Sequence, residues 1–363
     1  MCRACRGSTD VPDGTTSTTD DRCGRGATVR LALVAGTTAT AAVDGLSAAG
    51  ADPELMRHTP AADLDILVHG RPTLSPVVPV SPTGCPTPAV VTRAVRELLD
   101  FDVVGVDAGM AGETGAPTVS VGSDPGDDIR AATAVPNAES IFDRTRDLGR
   151  RLPDEHLLVS ETIPGGTTTA LGVLTALGAP ATVSSSLPEN PLAAKRRIVE
   201  HGLDASGLAP GEAAGDPLRA ITAVGDPVLA AATGLTVGCV ESGTRVTLGG
   251  GTQMATVAGL VRHRGVDAPL TLATTSFVAA DESAGIGRLT DRFDVTLRAS
   301  DPAFEAADHR ATDAYLRGEA KEGAGMGGAL ALLADSDVSL AAMHDRIGTV
   351  YDRLLAEREA TTP

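Results

Sequence analysis

Aromatic residues are scarce in this chain. Only 2% of its 363 residues are aromatic and Trp is absent, although 42% of the residues are hydrophobic. The core must therefore be built mainly from Ala, Val, Leu and Ile, which suits the close helix–sheet packing of an α/β protein. The length allows two ordinary domains or one large domain.

Positive charge is also scarce. The formal net charge is −17, and Lys195 and Lys321 are the only lysines. Because no basic face is available for a phosphate backbone or for anionic lipid, the sequence argues against a nucleic-acid partner and a membrane-surface partner. An acidic, Lys-poor surface is typical of proteins that work in concentrated salt, where screening weakens self-repulsion. We therefore predict a halophilic protein, with an ordinary acidic cytosolic protein as the alternative.

Long apolar runs and paired cysteines are missing as well. No segment has the length of a membrane span, and the first residues carry no signal-peptide core. An odd number of cysteines argues against a disulfide framework, and one Cys-x-x-Cys pair is weak evidence for a metal site. The histidines lack ligand spacing too, so we expect a cytoplasmic protein without a metal or cofactor. The cysteines are Cys2, Cys5, Cys23, Cys85 and Cys239.

Composition divides the chain into three predicted regions. Residues 1–26 are polar and lack hydrophobic periodicity, so we expect a disordered extension. Residues 27–300 alternate short apolar runs with helical stretches, which predicts a Rossmann-like, doubly wound, mostly parallel α/β sheet that binds a nucleotide. Residues 301–363 are predicted to form a small, mainly helical subdomain that packs on this sheet domain and supplies a glutamate loop.

Four segments are the clearest strands, and each ends in a Gly or Thr loop. They read VRLALVAG, DVVGVDAG, HLLVSE and RVTLGGG. Helices are predicted over AVVTRAVRELL, after a Thr-Pro start signal, and over residues 137–152. Ligands of such sheets bind beyond the carboxyl ends of the strands, so the functional residues are expected in these loops.

One loop combines a carboxylate with a predicted anion pocket. In SETIPGGTTTALGVLTALG, Glu161 stands between a strand and a helix that starts near Thr167. Gly165 and Gly166 let backbone N–H groups converge, and Thr167 and Thr168 add hydroxyl donors at the positive end of the helix. The missing Lys-Ser/Thr pair excludes a Walker A loop. The alternative is a Thr-rich cap without a ligand, but a carboxylate beside an anion pocket then lacks a purpose.

Two further loops extend the predicted nucleotide site. Gly250, Gly251 and Thr252 form a turn after the strand RVTLGG, and the polar loop with Ser185 is followed by Lys195. A second strand–helix turn makes a two-part site attractive, with one part for phosphate and one for a ring. The alternatives are an ordinary tight turn and a solvated lysine on a helix.

A Gly-rich segment near the C-terminus presents a second glutamate. KEGAGMGGALAL contains a formal GxGxxG pattern, but no strand precedes it, which argues against dinucleotide binding. What remains is Glu322 in a loop with Gly323 and Gly325, ahead of an apolar helix. The alternative is a surface glutamate that the helix N-terminus stabilises.

These segments together resemble the nicotinate-nucleotide:dimethylbenzimidazole phosphoribosyltransferase family. SETIPGGTTTAL is similar to the family motif GEMGIGNTT, and KEGAGMGGALAL to GEGTGAALAL, whose catalytic glutamate falls on Glu322. VDGLSAAGADPELM resembles the EGVSAYP segment of the base pocket, with Ser47 at a matching position, and VVGVDAGMAG resembles VVDVGVAG. The matches keep the same order from about residue 30 to about residue 335, and the chain looks closest to the archaeal, specifically haloarchaeal, branch.

The resemblance implies transfer of 5-phosphoribose from nicotinate mononucleotide to a benzimidazole or purine base. The products are nicotinate and an α-ribotide used for the lower ligand of cobamides. Glu322 is implied to be the general base and Glu161 its partner, since two nearby carboxylates raise one pKa. Ser47, Gly323 and Gly325 are implied to bind the base, and the protein is expected to form a homodimer.

Some family positions differ in this chain. Gly36-Thr37-Thr38 stands where bacterial members have Asp-His-Gly, and residues 281–284 read DESA in place of His-Arg-Ser-Ala. A nucleotide-binding protein of the same fold without turnover is therefore the alternative. A phosphotransfer enzyme is disfavoured because the Walker Lys and a metal-binding Asp pattern are missing.

Overall fold

The computed structural model describes residues 29–46, 53–81, 83–122 and 124–361. The predicted disordered extension, residues 1–26, and the predicted base-binding residue Ser47 lie outside the described residues. Within these ranges the strands β1 to β7 are, in chain order, Val29–Ala35, Asp102–Asp107, Thr118–Ser120, His156–Thr162, Arg245–Gly249, Thr271–Thr275 and Thr296–Ser300.

Helices cover both sides of the sheet and the region after it. Helices α1 to α14 are, in chain order, Pro53–Met56, Thr59–His69, Ala89–Leu99, Ala138–Arg151, Gly166–Ala176, Leu192–Ser206, Pro217–Val224, Pro227–Glu241, Thr252–His263, Ser276–Ala280, Ile286–Arg292, Arg310–Leu316, Met326–Ala334 and Leu340–Thr361. Two short 3-10 helices span Ala39–Ala42 and Phe304–Ala306.

The described strands form one parallel sheet in the order β3-β2-β1-β4-β5-β6-β7. The chain winds outward from β1 in one direction and from β4 in the other, so the winding reverses between these two neighbours. Their register pairs Val34 with Glu161 and Ala35 with Thr162. The predicted doubly wound α/β fold is thus confirmed, and the crevice expected to bind ligands lies at the carboxyl ends of β1 and β4.

Alternating side chains of each central strand enter two separate hydrophobic clusters. On β1, Ala32 and Val34 join the cluster on one face of the sheet, while Leu31, Leu33 and Ala35 join the cluster on the other. Alternation of this kind follows from the two-residue period of a strand. The first cluster includes residues of α4 to α9 and the second includes residues of α2, α3 and α12 to α14. The C-terminal helices therefore share a core with α2 and α3.

The four strands expected from sequence are present as β1, β2, β4 and β5, and the helices expected over AVVTRAVRELL and residues 137–152 are α3 and α4. Strand β4 runs through Thr162, so Glu161 lies within the strand and not between strand and helix, and α5 begins at Gly166. Sequence patterns did not indicate β3, β6 and β7. The three residues of β3 are all exposed at the sheet edge, and β7 includes the charged Arg298, so neither strand forms a buried apolar run.

Helices α4 and α8 approach each other closely because glycines line their contact. A Cβ atom added to Gly238 would lie 2.0 Å from the carbonyl oxygen of Arg146, and one added to Gly234 would lie 2.2 Å from that of Phe142. Neither position has room for a methyl group unless the helices move apart. The pair of helices is thus packed backbone against backbone, which suits a core poor in aromatic residues.

We expect Gly238→Ala to lower the free energy of unfolding by about 1–3 kcal/mol, since overpacking a close contact forces a backbone shift. Gly287 is the matched control, because a Cβ atom there meets nothing within 4 Å. Gly287→Ala, within α11, should be neutral or stabilising by up to about 1 kcal/mol. Denaturant midpoints measured in the same salt compare the two variants, and equal midpoints would contradict the close-contact interpretation.

Candidate active site

A cavity of about 820 Å³ opens beyond the carboxyl ends of the central strands. Its walls come from the loop after β4, the start of α9, residues 76–81 and 84–88 between α2 and α3, the polar residues 184–186, and the loop 319–324 before α13. These segments are far apart in sequence, and the parallel sheet brings their ends to one edge. The cavity therefore coincides with the point where the winding of the sheet reverses.

Glu161 lies near the end of β4 with its side chain in the cavity wall. The residue is 9% exposed. The following turn contains Gly165 at φ +80°, and a Cβ atom there would lie 2.9 Å from Cα of Ala41. A glycine is thus needed both for the left-handed backbone and for the approach to the 3-10 helix after β1. This turn starts α5 immediately beside the glutamate.

Glu322 is held in the same cavity by an unusual loop. Gly323, Ala324 and Gly325 all have positive φ, at +143°, +46° and +79°. The Ala324 N–H donates to the carbonyl oxygen of Glu161 at 3.0 Å, which joins this loop to the end of β4. Both glutamates therefore line one cavity and lie on the same edge of the sheet.

Backbone N–H groups fix the Glu322 carboxylate. The N–H groups of Gly323 and Gly327 donate to Oε1 at 3.2 and 2.8 Å, and that of Thr275 donates to Oε2 at 3.0 Å. The Thr274 hydroxyl also donates to Oε2, at 3.3 Å. A Cβ atom at Gly327 would lie 2.4 Å from Oε2, so only glycine leaves room for the carboxylate. Gly327, Thr274 and Thr275 are site residues that the sequence analysis missed.

The two glutamates have raised pKa values, mainly because their carboxyl groups are removed from water. Burial is the main cause for Glu161, with added repulsion from Asp226, Glu322 and Asp63, and its pKa rises from 4.5 to about 8. Burial also raises the pKa of Glu322 to about 7, although the N–H donors oppose the shift. Near neutral pH the Glu161 carboxyl is thus mainly protonated and the Glu322 carboxyl is close to half ionised.

Asp63 and Asp226 are buried carboxyl groups that sequence reasoning did not identify. Asp63, in α2, accepts hydrogen bonds from the hydroxyls of Thr87 and Thr162, both at 2.7 Å. Asp226 caps α8 by accepting the Leu229 N–H at 2.8 Å. Burial raises the pKa of each to about 6. An Asp-Pro pair at 226 and 227 marks a helix start, but nothing in the sequence places it beneath Glu161.

Hydroxyl groups and one lysine surround the predicted anion pocket. Lys195 is fully buried, and its Nζ donates to Thr167 Oγ1 and to the carbonyl oxygen of Ser184, both at 2.9 Å. Burial lowers the pKa of Lys195 to about 8. Since Thr167 accepts this hydrogen bond, its own O–H is available to a ligand in the cavity. Ser184 and Thr252 lie 3.2 Å apart, hydroxyl to hydroxyl.

The residues predicted from sequence divide into two groups by position. Those that line the cavity are Glu161, Gly165, Gly166, Thr167, Ser185, Gly251, Thr252, Glu322 and Gly323. Those that lie behind the lining are Thr168, Lys195, Gly250 and Gly325. Lys195 and Gly325 still shape the wall, the first through Thr167 and the second through the Glu322 loop. Thr168 is fully buried, and its hydroxyl has no hydrogen-bond partner in the described part of the chain.

A Pro-rich segment forms the apolar side of the cavity. Residues 76–80, PVVPV, line it together with Pro88. Side chains of the C-terminal region hold the loop that follows, residues 83–86, because the Tyr315 and Tyr351 hydroxyls donate to the carbonyl oxygens of Pro86 and Gly84, both at 3.0 Å. Glu319 accepts a hydrogen bond from the Thr83 hydroxyl at 2.5 Å. The cavity thus has one polar side with carboxyl groups and one apolar side.

The described ranges of the chain contain neither a metal-binding cluster nor a membrane-spanning helix. Among the described residues, no three His, Cys, Asp or Glu side chains are grouped to hold a metal ion. Within those ranges, no helix combines the length and apolarity needed to cross a bilayer.

Two solved structures have the same fold as this chain. One is a nicotinate-nucleotide-dimethylbenzimidazole phosphoribosyltransferase from Thermus thermophilus, which is 18% identical, with a TM-score of 0.58 over 88% of this chain and 82% of that chain. The other is CobT from Thermus thermophilus, also 18% identical, with a TM-score of 0.59 over 88% of this chain and 83% of that one. No protein-family model matches the chain.

Several archaeal proteins are similar to it over nearly their full length. A UPF0284 protein of Halobacterium salinarum is 56% identical, covering 89% of this chain and 98% of the relative. A UPF0284 protein of Methanothermobacter thermautotrophicus is 41% identical over 88% of this chain and 91% of its own length. A UPF0284 protein of Pyrococcus furiosus is 36% identical, covering 89% of this chain and 98% of the relative. This chain therefore belongs to the UPF0284 family.

Proposed function

We propose that this protein is a phosphoribosyltransferase that moves 5-phosphoribose from nicotinate mononucleotide to a benzimidazole or purine base. The α-ribotide formed would serve the lower ligand of cobamides. The observation that carries the proposal is the pairing of the buried Glu161 with the half-buried Glu322 in one cavity beside a hydroxyl-lined turn. The shared fold of the Thermus thermophilus phosphoribosyltransferase supports it.

The polar side of the cavity suits the nucleotide donor. The turn formed by Gly165, Gly166 and Thr167 offers N–H groups at the start of α5, and Ser185 and Thr252 add hydroxyls. Helix N-termini of this kind bind phosphate through N–H groups and the helix dipole. Lys195, behind Thr167, adds a positive charge that is bonded to no carboxylate among the described residues. We assign the phosphate to this turn.

The apolar side suits a planar base. Val78 and Val80 of the Pro-rich segment face the cavity, which also reaches Gly323 beside Glu322. A benzimidazole held against this wall would have one ring nitrogen near the sugar and the other near Glu322. Dimeric assembly, a cytoplasmic location and a salt requirement stay predictions from the sequence.

The reaction needs one proton to be removed and no strong acid. The bond between C1′ and the pyridinium nitrogen breaks, and its electron pair neutralises the departing nicotinate ring. A ring nitrogen of the base forms the new bond to C1′, and the N–H proton on its other nitrogen passes to the Glu322 carboxylate. Base catalysis of this kind contributes typically about 10²–10⁴-fold.

The different pKa values of the two glutamates suit the role of Glu322 as the base. Because Glu161 is mainly protonated near neutral pH, it leaves Glu322 as the acceptor of the proton and adds no second negative charge. The N–H groups of Gly323 and Gly327 hold the Glu322 carboxylate in place before and after the transfer. The Thr274 hydroxyl, its most distant donor, can rotate away to free a lone pair on Oε2.

We expect Glu322→Gln to lower base-dependent nicotinate release by about 10²–10⁴-fold, because glutamine cannot accept the proton. The measurement is nicotinate release from nicotinate mononucleotide in molar KCl, with dimethylbenzimidazole and adenine as parallel acceptors. Glu155→Gln is the matched control, since Glu155 is exposed next to the opposite, amino end of β4, and its rate should equal that of the native protein.

Two results of this assay would redirect the proposal. If the Glu322→Gln variant releases nicotinate as fast as the native protein does, Glu322 is not the base. No release with either acceptor, together with tight binding of nicotinate mononucleotide, would favour a nucleotide-binding protein of the same fold without turnover.

We expect Glu161→Gln to stabilise the protein more at pH 8.5 than at pH 5. The folded-state pKa of about 8 exceeds the unfolded value of 4.5, so the native protein loses stability as pH rises between these values. Glutamine cannot ionise and avoids this loss, a gain on the order of 1–3 kcal/mol. Denaturant unfolding at both pH values, with Glu155→Gln as control, measures it. The same difference at both pH values would contradict the raised pKa.

A further inference from the structure

Gln253 is a cavity residue whose orientation is set from behind the wall. It lies in the first turn of α9, is 5% exposed and lines the cavity. Its Nε2 donates to Asp226 Oδ2 at 3.0 Å. Asp226 is fully buried and lies outside the lining, so it contacts the cavity only through Gln253.

The Asp226 carboxylate allows one orientation of the Gln253 amide. An ionised carboxylate only accepts hydrogen bonds, so the NH₂ group must face it and the carbonyl oxygen must face away. Oδ2 of Asp226 also accepts the Thr169 hydroxyl, and Oδ1 accepts the Leu229 N–H. These bonds fix the carboxylate, and the carboxylate in turn fixes the amide.

The Gln253 carbonyl oxygen consequently lies against the turn formed by residues 165–167, which we call the nucleotide turn. A Cβ atom added to Gly166 would be 2.0 Å from Oε1 but 2.8 Å from Nε2, so the oxygen is the nearer atom. Oε1 accepts no hydrogen bond from any residue within the described ranges. It is thus a fixed, unpaired acceptor beside the turn to which we assign the phosphate.

An acceptor at this point selects for a donor on the ligand. Oε1 would repel a phosphate oxygen, because neither atom can donate a hydrogen bond. The groups on a nucleotide that donate within a few bonds of its phosphate are the sugar hydroxyls. A bound ligand that covers Oε1 without donating to it leaves this acceptor unpaired, which is costly, so a ligand that lacks the hydroxyl should bind and react less well.

We propose that Gln253, held by Asp226, recognises a ribose hydroxyl of the donor and makes the protein selective for ribosyl over deoxyribosyl nucleotides. Gln253 is the specificity-determining residue and Asp226 is a positioning residue. The proposal rests on the function proposed above, since it names the sugar that the same site accepts.

The test compares nicotinate mononucleotide with its 2′-deoxy and 3′-deoxy analogues. We expect kcat/KM of the native protein to fall about 10–100-fold for at least one analogue. The Gln253→Met variant keeps the side-chain length but loses the acceptor. In this variant, kcat/KM for the ribosyl donor and kcat/KM for the deoxyribosyl donor should differ by no more than about threefold. Equal kcat/KM for all three donors in the native protein would overturn the proposal.

The Asp226→Asn variant tests whether Asp226 orients the Gln253 amide or only supports the fold. Asparagine also caps helices well, so α8 should keep its start, but its amide can donate and therefore lets the Gln253 amide turn over. We expect the ratio of kcat/KM between ribosyl and deoxyribosyl donors to narrow. A structural defect would instead lower kcat/KM for all donors equally and leave this ratio unchanged. Asp216→Asn is the matched control, because Asp216 also precedes a proline and caps α7, at the surface.

A second arm tests whether the acceptor faces the base instead. Adenine is compared with unsubstituted purine, which lacks the exocyclic amine. If Gln253→Met changes the adenine-to-purine ratio and leaves the ribosyl-to-deoxyribosyl ratio at its native value, the sugar assignment is overturned.

Equilibrium binding keeps this proposal distinct from the proposed transferase activity. If no base supports nicotinate release, the transferase proposal fails, but calorimetric affinities for the three donors can still be compared. A preference for the ribosyl donor that Gln253→Met removes would support the sugar assignment. Equal affinities would overturn it.

Discussion

Burial of carboxyl groups without bonded cations is the constraint on which this site depends. Asp63, Glu161 and Asp226 are buried and Glu322 is half-buried in the cavity wall, and none of the four has an ion-pair partner among the described residues. An isolated buried carboxylate is too costly to persist, so each must be hydrogen-bonded or protonated. The structure uses both solutions. Asp63, Asp226 and Glu322 collect hydroxyl and N–H donors, while Glu161 has few donors and the highest of the four pKa values.

Hydrogen-bond donors take the place of cations elsewhere in the cavity. The turn proposed to bind phosphate has N–H groups and threonine hydroxyls, and the buried Lys195 contacts it through Thr167. Lys321 lines the cavity, and its Nζ donates to Asp281 Oδ2 at 2.6 Å. A chain of this composition can bind an anion with little positive charge because N–H groups at a helix start are already oriented. That arrangement requires glycine at Gly165 and Gly166, where side chains would collide with Ala41 and Gln253.

Much of the fold could be predicted from the sequence, because buried parallel strands leave a strong local pattern. β1, β2, β4 and β5 are apolar runs that end in Gly or Thr, and α3 begins after a Thr-Pro signal. Strand β3 escaped prediction because all its residues are exposed, and β7 because it carries Arg298. Parallel pairing followed from strand–helix alternation, since a crossover helix requires the next strand to run parallel, whereas only the structure shows the strand order.

The sequence by itself determined two segments that line the cavity, since Glu161 and Glu322 each stand beside a glycine turn that is visible in a short segment. Only the tertiary structure decided what surrounds them. Asp63 appears in an apolar helix and Asp226 at an ordinary helix cap, and nothing local indicates that both lie close to Glu161. Lys195 lies 28 positions from Thr167, yet folding joins them. Contacts between distant segments depend on how the sheet aligns its strand ends, and charge coupling and orientation arise from those contacts alone.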